Sequence, residues 1–136
     1  MKIIINNASM TFVKGVLNIF ENSTWLDGQY WQRNTGSAMA LTAVAGYYTI
    51  ETPLSIPQGV SRVKVTWDTS IQSSGSAKLR CVWWGADDKV LETSEHEGGS
   101  LDIGIPSGAV KFAVQGQKSS GATAWGKVQQ IKGVFE

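Results

Sequence analysis

Lys78-Leu79-Arg80-Cys81-Val82-Trp83-Trp84 runs into Gly85-Ala86-Asp87-Asp88-Lys89, and the apolar pattern restarts at Val90-Leu91. Successive side chains of an extended chain point to opposite faces. Leu79, Cys81 and Trp83 therefore share an inward face, while Lys78 and Arg80 point outward and Trp84 faces away from the core beside the acidic run. Asp tolerates turn dihedrals and bonds its own backbone, so residues 85–89 predict a hairpin turn.

The same rhythm recurs about every ten residues, the spacing of a sandwich or barrel. Residues 60–67 put Val63, Val65 and Trp67 on one face against Arg62, Lys64 and Thr66. Leu101, Ile103 and Ile105 alternate with Asp102 and Gly104, and Val110, Phe112 and Val114 with Lys111 and Ala113. Tyr48 and Ile50 mark a further strand, as do residues 29–33 and residues 127–131, the last with a bulge at Gln129-Gln130. Ile56-Pro57-Gln58-Gly59 and Ile105-Pro106-Ser107-Gly108 place a Pro-x-Gly corner before two of these strands. The expected core comprises Val63, Val65, Trp67, Leu79, Cys81, Trp83, Phe112 and Val114.

The chain has 136 residues, enough for one domain. Its 42% hydrophobic and 17% charged residues are a globular composition, and 15 Gly with 6 Trp, 3 Tyr and 4 Phe suit short strands and tight turns. A formal net charge of +1 lacks the basic excess of a nucleic-acid binder. The longest apolar run, residues 39–45, is far short of the roughly 20 needed to cross a bilayer. One cysteine, Cys81, excludes an intrachain disulfide, and synthesis in a cytoplasm is expected. The fold class that follows is all-β, a two-sheet antiparallel β-sandwich of the jelly-roll kind over residues 28–136. Residues 1–27 differ in character, and residues 11–20 suit either a short helix or a strand that pairs elsewhere. Ile3, Ile4, Ile5, Phe12, Val16, Leu17, Ile19 and Phe20 are more apolar surface than a tail leaves in water, so residues 1–27 are expected to form an assembly segment.

The run from Tyr47 to Val114 resembles the jelly-roll modules of bacteriophage tail, fibre and other virion proteins and of bacterial carbohydrate-binding modules. The resemblance is carried by Leu54-Ser55-Ile56-Pro57-Gln58-Gly59, by Cys81-Val82-Trp83-Trp84-Gly85-Ala86-Asp87-Asp88-Lys89-Val90-Leu91, and by Ile105-Pro106-Ser107-Gly108-Ala109-Val110-Lys111-Phe112-Ala113-Val114. It covers about half the chain. The opening Met1-Lys2-Ile3-Ile4-Ile5-Asn6-Asn7-Ala8 is similar to small virion proteins of phages of gut Bacteroidetes, including the crAss-like group. The resemblance implies a non-catalytic virion protein, made in the host cytoplasm, that decorates the particle or attaches to host glycans. Its implied partners are other virion proteins, further copies of itself (a trimer favoured) and a cell-surface glycan.

Candidate chemistry is confined to the aromatics. Glycan hydrolysis needs two carboxyls flanking the bond, and Asp87, Asp88, Glu92, Glu95 and Glu97 fall mainly in turns. The lone His96 sits between two Glu residues whose side chains point away from it, and Cys81 has nothing basic beside it on its face. Neither a cofactor nor a metal site is expected, although Asp87 and Asp88 could offer hard oxygens to calcium. Trp and Tyr stack on sugar rings while Arg, Asn, Asp and Gln bond the hydroxyls. Trp84 is accordingly the expected stacking platform, with Asp87 beside it. Trp31 and Arg33, two apart and so on one face, come next, and Trp125 follows a Ser/Gly loop. A virion structural protein is the favoured function over a free-standing glycan-binding module, and a small hydrolase ranks last.

Overall fold

Alternation of apolar and polar residues produces strands here and no helix among the described residues. The structure is a computed structural model that describes residues 18–66, 78–97, 100–117 and 132–136. Nine strands follow in order: β1 (Trp25–Trp31), β2 (Leu41–Ile50), β3 (Leu54–Ser55), β4 (Arg62–Thr66), β5 (Lys78–Trp84), β6 (Val90–Glu97), β7 (Ser100–Gly104), β8 (Lys111–Gln117) and β9 (Lys132–Phe135). They form two antiparallel sheets, so the two-sheet β-sandwich is what the chain adopts. The larger has the order β1-β2-β8-β5-β6, with β3 pairing β8 beyond the end of β2; the smaller has the order β7-β4-β9.

The inner face of the large sheet carries Tyr48, Ile50, Leu79, Cys81, Trp83, Phe112 and Val114, all buried. The small sheet meets it with Val63, Val65, Leu101 and Phe135. Trp83 stacks on Phe112 with ring centroids 5.1 Å apart, and Phe135 meets Phe112 edge-on at 5.8 Å. The expected core residues are thus all inside, apart from Trp67, which lies outside the described residues. So do the strand at 127–131 and the whole of residues 1–17.

Two expectations are corrected. The first concerns the segment before residue 28: β1 begins at Trp25 and so starts within it. Phe20 is buried in the sandwich's own core, 5.6 Å from the Trp25 ring and 6.5 Å from that of Phe112. A Cβ on Gly133 of β9 would lie 2.5 Å from Phe20, so glycine is required where that ring crosses the small sheet. Ile19 packs against the same core. The second correction concerns β5, whose two faces are both buried: Arg80 is 7% exposed, and Val82 and Trp84 are 0% exposed. A central strand covered on both sides buries its nominally outward residues as well.

Tyr48 stacks nearly parallel on Trp25, centroids 5.8 Å apart. Burial, with a smaller contribution from the Asp27 carboxylate, raises its phenol from 10.0 to about 12. The unfolded chain therefore releases this proton first. The folded state loses stability as pH rises from 10 to 12, by up to about 1.4 kcal/mol per pH unit. Urea unfolding of Tyr48→Phe is expected to show a shallower decline over that interval than the parent; equal slopes would contradict the assignment.

Candidate functional site

The site is built where the β1–β2 hairpin returns across the outer face of the large sheet. That face carries Tyr47 and Thr49 of β2, Ala113 and Gln115 of β8, Arg80, Val82 and Trp84 of β5, and Glu95 of β6, as the pairings Thr49↔Gln115, Arg80↔Gln115 and Arg80↔Glu95 require. The hairpin keeps regular register up to Asp27↔Tyr48 and resumes it at Gln29↔Ala43. Between these points Gly28 (φ 76°) and Gly46 (φ 87°) hold a backbone conformation that few other residues accept, so both strands bend at one level.

Gln115 receives the returning tip. Its Oε1 accepts the Trp31 backbone N–H at 2.7 Å and its Nε2 donates to the Trp31 carbonyl at 3.0 Å. The primary amide thus takes the place of a neighbouring strand along the free edge of β1. Thr49 Oγ1 lies 3.1 Å from both Gln115 Oε1 and the Ile50 carbonyl, and the Trp31 indole N–H donates to that same carbonyl at 2.9 Å. Gln115 is 1% exposed, so its bonds are formed out of water.

This closure decides the fate of Trp84. Its ring meets Trp31 edge-on at 5.6 Å beneath the hairpin, and its indole N–H is buried with no hydrogen-bond partner. Alternation places Trp84 away from the inner core correctly, but the second layer covers it and no sugar can stack there. Trp31 is half-buried over it as part of the cover. Arg33 lies beyond the end of β1 at Trp31, so the alternation that would put the two on one face does not extend to it. Asp87 is exposed and its carboxylate accepts the Lys89 N–H at 3.1 Å, closing the expected turn, in which Asp88 takes φ 60°. Asp88 instead pairs with Lys111 at 2.9 Å. Trp125 lies outside the described residues. Among the described residues no three His, Cys, Asp or Glu side chains come together as metal ligands would. Burial pushes the Cys81 thiol up, which keeps it protonated and unreactive.

At the rim of the cover the structure assembles five side chains into a closed circuit. The Arg33 guanidinium lies over the Tyr30 ring at 5.9 Å, Tyr30 meets Tyr47 at 4.9 Å, and the Arg80 guanidinium lies over Tyr47 at 5.5 Å. Glu95 completes it, 2.6 Å from Arg80 Nε and 3.9 Å from Arg33 Nη1. Tyr30 was within reach of sequence reading, since it adjoins Trp31-Gln32-Arg33-Asn34, a run rich in hydrogen-bonding groups. Tyr47, Arg80, Glu95 and Gln115 carried no local signal, because strand pairing within the large sheet, and not nearness in sequence, brings them together.

Clefts also lie elsewhere among the described residues. One of about 420 Å³ is lined by both Pro-x-Gly corners, including Ile56, Pro57, Val60, Ile105, Pro106 and Val110. The corners are tied there by Ile56 N–H to the Val110 carbonyl and Ile105 N–H to the Ser61 carbonyl, both 2.9 Å. Another, of about 340 Å³, lies between Asn18–Ser23, Leu54 and Phe135. No protein-family model matches the chain, and no curated protein matches it either.

Gln115→Leu keeps the side-chain volume near that of Gln but removes both bonds to Trp31. It is expected to cost about 2–6 kcal/mol in chemical denaturation, since two backbone groups lose their partner. Unchanged stability would show that the hairpin tip is held by packing alone.

Proposed function

We propose that this protein is a non-catalytic virion component of a bacteriophage, a fibre, spike or capsid decoration built on a jelly-roll sandwich, that attaches to host surface glycans. The observation that carries the reading is the rim circuit: two partly exposed tyrosine rings beside a guanidinium that is one-third exposed, the combination that stacks on a sugar and bonds its hydroxyls. The stretches that resemble virion and carbohydrate-binding modules support it. They form the first corner with the strand before it, the β5–β6 hairpin, and the second corner leading into β8.

The carboxylates support a non-catalytic role. Asp88, Asp102, Glu95 and Glu136 are engaged by Lys111, Arg62, Arg80 and Lys64, respectively. A carboxylate occupied by a neighbouring cation is not free to flank a glycosidic bond as one of the pair that hydrolysis needs. Assembly rests on the sequence of residues 1–17 alone, which still holds Ile3, Ile4, Ile5, Phe12, Val16 and Leu17 once Ile19 and Phe20 are assigned to the sandwich.

One sugar on one such rim supports a Kd of order 1 mM, about −4 kcal/mol, and repeated copies supply the avidity. Light scattering and a glycan array on the full chain test the reading. A stable trimer that binds array glycans, with Tyr30→Ala folded but non-binding, is expected. A monomer that binds would favour a free-standing glycan-binding module instead, and a protein that binds no glycan overturns the attachment role.

A further inference from the structure

We infer that the rim circuit selects saccharides bearing a carboxylate, with Arg33 as the group that reads the acid; this rests on the glycan-binding reading above. The circuit contains two guanidinium groups and one carboxylate. Arg80, whose side chain is 8% exposed, holds Glu95 Oε2 at 2.6 Å, a short charge-assisted bond that a buried cation requires. Glu95 is therefore committed to Arg80, and its contact with Arg33 Nη1 is a long 3.9 Å.

Arg33 is left with the surplus positive charge of the circuit. Its Nε is buried and carries no hydrogen-bond partner, while its side chain as a whole is one-third exposed. A guanidinium offers five N–H donors in a fixed fork, so most of its capacity here is open. The Tyr30 ring beneath it, at 5.9 Å, restrains the fork by cation–π attraction, which lowers the entropy lost when a ligand binds. A neutral sugar on Tyr30 and Tyr47 would leave that charge unanswered. A hexuronate residue fits better. Its ring lies against the tyrosines and its carboxylate meets the fork with two parallel hydrogen bonds, the geometry that distinguishes Arg from Lys.

The same carboxylate chemistry could come from a saccharide or from a small free acid, and the test separates them. Calorimetry at fixed 0.15 M ionic strength compares an α-1,4-linked galacturonate trisaccharide, the matching galactose trisaccharide and acetate, on the full chain and on Arg33→Gln. The acidic trisaccharide is expected to bind at least tenfold more tightly than the neutral one. Arg33→Gln should erase that preference, bringing the acidic trisaccharide to the affinity of the neutral one in the same variant, and unfold at the parent's temperature. Equal affinities for the two trisaccharides, or a preference that survives in Arg33→Gln, overturn the inference and leave glycan binding intact. Acetate binding as tightly as the acidic trisaccharide also overturns it, showing a bare anion site. If neither trisaccharide binds while array glycans do, the acid preference alone is lost; if no glycan binds at all, the glycan-binding reading falls as well.

Discussion

One buried amide sets the architecture of the outer face. Gln115 places an acceptor and a donor in front of the Trp31 backbone, so the β1–β2 hairpin closes over the sheet to which its own base belongs. Without that partner, the free edge of Trp31 would face an apolar layer with its N–H and C=O unpaired, a cost of roughly 1–3 kcal/mol for each group. With it, the tip acts as a third layer over β8 and β5. Trp84 becomes a second core beneath Trp31, and the exposed aromatic surface moves outward to Tyr30 and Tyr47. Both the closed face and the open rim depend on this contact.

The two halves of the sandwich differ in how they were encoded. β4, β5, β7 and β8 were legible because each alternates and pairs with a partner of the same period, and the Asp87-Asp88 turn announced the β5–β6 hairpin. The inner core followed from that period. The outer layer was not legible, since alternation says which residues point away from the core and nothing about what covers them. The start of β2 was hidden for a related reason: Leu41 and Ala43 are exposed while Thr42 is half-buried, so polarity runs against burial in residues 41–43. Phe20 looked like assembly surface because the pocket that receives it exists only where Gly133 leaves room.

The rim circuit is a product of that hidden layer. Its five residues come from β1, β2, β5, β6 and the turn after β1, and no short window of sequence contains more than two of them. What could be read was the composition of residues 30–34, an aromatic pair beside Gln, Arg and Asn, which pointed to the right neighbourhood and the wrong ring. Gln32 explains part of the difference. Its Oε1 accepts the N–H groups of Arg33 and Asn34 at 2.9 and 3.2 Å, ending the strand and turning Arg33 toward Tyr30. The charge balance of the circuit then follows from burial, because the more buried Arg80 takes the carboxylate and the more exposed Arg33 keeps its fork open.

The central claim is that the chain itself closes the outer face, so that any recognition occurs at the rim. Fluorine NMR on protein labelled with 5-fluorotryptophan tests it most directly, with the Trp84 resonance assigned by its loss in Trp84→Phe. The account predicts that this resonance does not move between H₂O and D₂O, as a ring with 0% exposure requires. A solvent isotope shift as large as that of free fluorotryptophan would show the hairpin tip standing open and would restore Trp84 as a surface platform.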